Sequence, residues 1–213
     1  MIEVPYVGDV DVNDAGAVSE AFAKIAPNTI GCCNWPDLYP YQPKAEFRMF
    51  HTGDNLVVRY DVDEKYTMAL VDEDMGEVWT DSCVEFFFQP YGKGKYYNLE
   101  ATCTGRILLT RRSGRNDPTP ASPEVLKSVL RYPSLGSGTF AETCKGPWSL
   151  TLVIPASAYF EDDITSFHGL EGRANVYKCG DNLSTRSYLS FSPIKTEKPD
   201  FHRPEFFTAI KFR

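Results

Sequence analysis

Residues 78 to 109 read VWTDSCVEFFFQPYGKGKYYNLEATCTGRILL, and the alternation inside this stretch decides the fold. Successive residues of a β-strand point to opposite faces of a sheet. Over 82–90, Val84, Phe86 and Phe88 share one face, while Cys83, Glu85, Phe87 and Gln89 share the other. Over 96–103, Tyr97, Leu99, Ala101 and Cys103 alternate with Tyr96, Asn98, Glu100 and Thr102. RILLTRR at 106–112 continues the pattern, so the stretch reads as three strands at hairpin spacing. Each has an apolar face for a core and a second face that mixes polar groups with aromatic rings.

The same reading extends in both directions. AEFRMFHTG (45–53) and NLVVRYDVDE (55–64) form a hairpin through Gly53-Asp54, and YTMALVD (66–72) follows. Further strands are expected in LGSGTFAETC, WSLTLVIP (148–155), GRANVYKC (172–179), SYLSFSPI (187–194) and FFTAIKFR (206–213). In 172–179, Ala174, Val176 and Lys178 alternate with Arg173, Asn175, Tyr177 and Cys179. Two short helices are predicted. One covers 14–25, with Val18, Ala21, Phe22 and Ile25 on one side behind Asp14; the other is PEVLKSVL. Without a helix between successive strands, a parallel doubly wound sheet is excluded. Many short strands with Gly/Pro turns predict an all-β antiparallel sandwich of jelly-roll type. The expected organisation is one domain over 1–213, with 1–43 as an N-terminal extension whose helix packs on the sandwich.

Composition narrows the function. Net charge is −7 and the longest basic run, RRSGR at 111–115, is short and broken, which excludes a nucleic-acid groove. No run of ~18 apolar residues suggests a membrane span. The N-terminus lacks both a basic start and an apolar run, so the expected compartment is the cytoplasm, or an extracellular or periplasmic one if a leader has been removed. Six cysteines show no CxxC spacing and are expected as free thiols, with no bond between Cys83 and Cys103. His51, His168 and His202 are scattered and no GxSxG occurs. Met49 and His51 share a strand face two residues apart and cannot hold opposite sides of one haem iron.

The mixed faces suit carbohydrate. The apolar face of a pyranose stacks on a flat ring, and its hydroxyls need donors and acceptors such as Asp, Glu, Asn and Arg. WTDSCVEFF, YYNLEATCTG, RANVYKCGD, LSFSPI and KPDFHRPEFF, in this order, resemble the family 9 carbohydrate-binding modules and their relatives in the DOMON-like sandwich group. The resemblance runs from about residue 44 to the C-terminus and implies a non-catalytic protein linked to polysaccharide degradation. Such a protein clamps a mono- or oligosaccharide, often a chain's reducing end, between two rings. By motif, Trp79 matches the first ring, Glu85 the carboxylate and Arg106 the arginine. Phe201 matches the second ring, where Trp is usual, as Phe191 does in LSFSP. Asn98, Glu100, Asn175 and Lys178 complete the expected ligand-binding set. Glu85 and Arg106 are expected within salt-bridge reach on an open face, keeping Glu85 ionised.

No cofactor is expected. Structural calcium, which family members can hold, would fall to Asp61, Asp63 and Glu64 or to Asp72, Glu73 and Asp74, although solvated turns explain these acids more simply. Two alternatives remain at this point. One is an interaction or structural protein with a decayed sugar site. The other is a glycoside hydrolase using two of Asp81, Glu85 and Glu100, which would need carboxyls set across a cleft with one pKa raised.

Overall fold

A computed structural model describes all 213 residues. Eight longer strands carry the architecture: β1 Lys44–His51, β2 Asn55–Asp63, β3 Cys83–Pro90, β4 Tyr96–Thr102, β5 Ile107–Arg112, β6 Trp148–Pro155, β7 Glu171–Cys179 and β8 Thr208–Phe212. One antiparallel run pairs β8, β7, β3, β4 and β5, extended past β5 by Thr119–Pro120. The facing sheet orders Leu130–Pro133, β6, β2, β1 and Asn28–Thr29. The β1–β2 hairpin turns through Gly53, whose φ of +93° is a conformation a side chain would strain.

Strand parity explains the core. Phe86 and Phe88 of β3, Leu99 of β4, Leu150 and Leu152 of β6, and Val176 of β7 all lie in the buried cluster between the two sheets, as the alternation predicts. The Phe86 and Phe88 rings stack at 5.8 Å, and truncating either to Ala would cost about 3–5 kcal/mol. The first helix, Ala15–Ala21, is capped by Asp14, whose carboxylate accepts from the backbone N–H of Gly16 at 2.8 Å. Phe22 then seats its ring edge-on against Phe50, 4.8 Å between centroids, on the outside of the second sheet.

The sequence reading and the structure part in several places. Residues 1–43 are woven into the sheets: Ile2–Val4 pairs in parallel with β8, and Cys32–Cys33 pairs with Leu189–Ser190 beside β7. Thr67–Ala69 leaves the sandwich to form a ribbon with Phe140–Thr143. Of 187–194 only Leu189–Ser190 is extended; the following loop is pinned by Asn175, which donates to Ser192 O at 3.0 Å and accepts from Ser192 N at 2.8 Å. Cys83 and Cys103 face opposite sides of the large sheet, so no bond can join them.

The largest departure concerns the outer face of that sheet, which is not open. Loops from 35–41 and 180–207 cover it and bury a second cluster containing Trp35, Phe87, Tyr96, Tyr177, Phe201 and Phe207. The rings on this face are large apolar surfaces that gain by being covered. Only one part of the face remains accessible.

Candidate binding cleft

That part is a cleft of about 450 Å³, within the ~300–1,000 Å³ usual for small-molecule sites. Its floor is made by Glu85 of β3 and Glu100 of β4, direct cross-strand neighbours, together with Cys179 of β7. Trp79 forms one wall. It sits on a single 3₁₀ turn, Val78–Thr80, anchored by the buried Val78, and its own ring is half-buried. Tyr39, Tyr188 and Phe201 line the cleft as a connected aromatic group: Tyr39 meets Tyr188 edge-on at 4.5 Å, and Tyr188 meets Phe201 at 6.2 Å. Phe201 also stacks on Tyr177 at 4.2 Å and 11°, so one of its faces is already covered. Arg112, Arg115, Asp181, Asp200 and His202 supply the polar rim, with Arg115 and Asp200 paired at 3.1 Å.

A hydrogen-bonded chain orients the floor. Arg112 Nε donates to Thr110 Oγ1 at 2.7 Å, the Thr110 hydroxyl donates to Asn98 Oδ1, and Asn98 Nδ2 donates to Glu100 Oε1 at 2.6 Å. The chain ends there. Glu100 Oε2 is buried without a partner, a costly state that a ligand hydroxyl would relieve.

Four of the eight residues expected from sequence line this cleft: Trp79, Glu85, Glu100 and Phe201. Asn98 acts one step behind, through Glu100. Asn175 is spent on the 190s loop. Lys178 points toward the inter-sheet side, as its parity with Ala174 and Val176 indicated, and pairs with Glu64 at 2.9 Å with no exposure of either side chain beyond 1%. Arg106 lies in the turn after β4, where its guanidinium meets Ser137 O at 3.5 Å, so the expected Glu85–Arg106 pair does not form. The cleft's arginines are Arg112 and Arg115; Arg112 has the parity of Arg106 but stands six residues further along, and the alternation rule reaches it. Asp181, Tyr188, Asp200 and His202 come from loops and left no periodic signal.

The expectation that Arg106 keeps Glu85 ionised is also overturned. No arginine pairs with it, and burial, with Cys179 and Glu100 adjacent, raises its carboxyl well above the ordinary range. Burial pushes Glu100 up to about 7 against the pull of Arg112. His202 is driven down to about 3 by burial and then by Arg112, and stays neutral. Three of the six acids considered for calcium are engaged in ion pairs. Asp61 is held by Arg48 and Arg59, Glu64 by Lys178, and Asp74 by Arg131 at 2.8 Å.

A pH prediction follows from Glu100. Its folded-state pKa lies above its ordinary 4.5, so its stabilising contribution is complete below pH 4.5 and is lost as pH rises through about 7. The shift corresponds to roughly 3 kcal/mol. Glu100→Gln keeps the acceptor for Asn98 and should flatten the fall in unfolding free energy between pH 5 and 8, read by urea denaturation. An unchanged slope would place that titration on another group.

The family model described as "Carbohydrate-binding family 9" matches residues 17–212. A candidate carbohydrate-binding protein from Bacteroides uniformis ATCC 8492, known from a crystal structure, is 38% identical over 100% of this chain and 99% of its own, with a TM-score of 0.92. A family 9 carbohydrate-binding module from Caldicellulosiruptor kristjanssonii, solved in complex with glucose, superposes with a TM-score of 0.61 at 12% identity, covering 100% of this chain and 95% of its own. The same organism's module in complex with cellotriose gives 0.61 at 10%, over 100% and 93%. No curated protein matches the chain.

Proposed function

The chain belongs to carbohydrate-binding family 9, and on that premise we propose that its cleft is a non-catalytic saccharide site. One sugar unit sits between the Trp79 ring and the group formed by Tyr39, Tyr188 and Phe201. Glu85, Glu100, Arg112 and Asp181 bond its hydroxyls. The observation that carries this reading is the unpartnered Glu100 Oε2 on the floor of a cleft walled by rings. It supplies an acceptor in search of a donor beneath an apolar stacking surface, the two halves of pyranose recognition. Glu85 stands beside it, its pKa raised by burial, and adds a second carboxyl to the floor for adjacent hydroxyls. The ligands of the Caldicellulosiruptor modules, glucose and cellotriose, define the saccharide class to try first.

The same floor argues against hydrolysis. Glu85 and Glu100 stand side by side on neighbouring strands rather than across the cleft, and the rim carboxylate of Asp200 is already paired with Arg115. Calorimetric titration with glucose, cellobiose and cellotriose should give one site per chain and no reducing-sugar release on prolonged incubation. Absence of heat with these and with a broad glycan array would remove the proposal. Turnover of any of them would replace it with catalysis.

A further inference from the structure

Beside Glu85 lie two thiols that the saccharide reading does not use. Cys83 of β3 and Cys179 of β7 are register partners, and Glu85 follows two residues along β3 on the same face. The two sulfurs and a carboxyl oxygen of Glu85 all lie within 4.8 Å of one another, and no other set of three histidine, cysteine or acidic side chains converges in this way. All three residues are at least nine-tenths buried, yet Glu85 and Cys179 reach the cleft wall, which gives an entry path. The Cys179 thiol donates to Glu85 Oε1 at 2.9 Å, so the donors already face a common point.

We propose that Cys83, Glu85 and Cys179 form a three-ligand site for a thiophilic divalent cation of the zinc class, with its fourth position open to the cleft. Around a tetrahedral zinc with bonds of about 2.0–2.3 Å, donor atoms stand roughly 3.5 Å apart. Three donors already inside 4.8 Å reach that arrangement by small side-chain rotations. Two sulfurs and one oxygen select zinc, cadmium or cobalt over calcium or magnesium, which demand oxygen donors throughout. Binding is an exchange of charge that balances: one dication enters, two thiols and one carboxylic acid each lose a proton, and three protons pass to solvent. Without metal, burial pushes the Cys83 thiol up to about 12 and raises Glu85, and the hydrogen bond with Cys83, then burial, raises Cys179. The complex carries one net negative charge, and its fourth position faces the cleft and its solvent.

Cobalt(II) tests the site directly, because tetrahedral cobalt absorbs strongly in the visible and a cobalt–thiolate bond adds a near-ultraviolet charge-transfer band. The full chain is used with Cys32→Ser, Cys33→Ser and Cys144→Ser, which remove the remaining accessible thiols and leave the site untouched. Under reducing, oxygen-free conditions we expect one cobalt per chain with both absorptions, bleached by one equivalent of zinc, and an affinity that rises with pH. Cys179→Ser should abolish the charge-transfer band at the same cobalt concentration, and Glu85→Gln should weaken binding at least tenfold while both thiols remain. No tetrahedral absorption in the triple variant would overturn the proposal. So would a spectrum indifferent to Cys179→Ser, or an affinity indifferent to Glu85→Gln. None of these outcomes depends on whether a saccharide binds.

Discussion

Replacing Lys178 by methionine should cost about 3–5 kcal/mol of folding stability and leave saccharide affinity unchanged. Lys178 has no exposed surface, and its ammonium lies 2.9 Å from Glu64 Oε2, a close ion pair set off the ideal hydrogen-bond angle. Burial alone would pull its pKa down, but the Glu64 carboxylate outweighs that and keeps the lysine charged. Glu64 is fixed in turn by Trp148 Nε1, which donates to Oε1 at 2.8 Å. Removing the lysine therefore strands a carboxylate in the protein interior, and the cost is mainly that stranded charge. Guanidinium denaturation would read the loss. The double variant Lys178→Met with Glu64→Gln should recover most of it, since the amide still accepts from Trp148. A single-variant cost below about 1 kcal/mol would mean that the pair is as weak as a surface bridge. Loss of sugar binding at unchanged stability would return Lys178 to the binding site.

Trp79→Ala should do the reverse. With cellotriose we expect a loss of about 2–3 kcal/mol, roughly 30- to 150-fold in Kd, the size expected when an aromatic anchor at the centre of a site is truncated. Its effect on folding should be smaller than the ~3–5 kcal/mol of a fully buried tryptophan, because the ring packs only against the outer cluster and is half-exposed to the cleft. Trp79→Phe should fall between the two, keeping a stacking face of smaller area. Phe201→Trp is less favourable than motif matching suggests. Tyr177 already covers one face of Phe201, leaving little room for a larger ring. Paired calorimetry and denaturation would separate the effects at Trp79; undiminished binding with a large stability loss would make it a packing residue.

The sequence by itself determined the sandwich and the division of each central strand into two faces. Phe86, Phe88, Leu99 and Val176 are inside because a period of two leaves them no other choice once their neighbours are polar. It also determined that Glu85 and Glu100 share one face with Phe87 and Tyr96; parity set Lys178 on the opposite one, against its place in the expected binding set. Tertiary structure decided everything that depends on which segment covers which. Ile2–Val4 joins the sheet through a partner more than 200 residues away in the chain. Arg112 serves the cleft and Arg106 does not, because a turn carries Arg106 toward Ser137 while the chain through Thr110 and Asn98 leads Arg112 to Glu100. Loops from both ends of the chain close over the outer face, and that cover changes the chemistry of Glu85. An acid on an open face keeps its ordinary pKa, whereas the same acid buried in the cleft floor, beside Cys179 and Glu100, has its pKa raised. Periodicity records the direction in which a side chain leaves its strand; its protonation state depends on the solvent that remains around it, and only the assembled loops determine that.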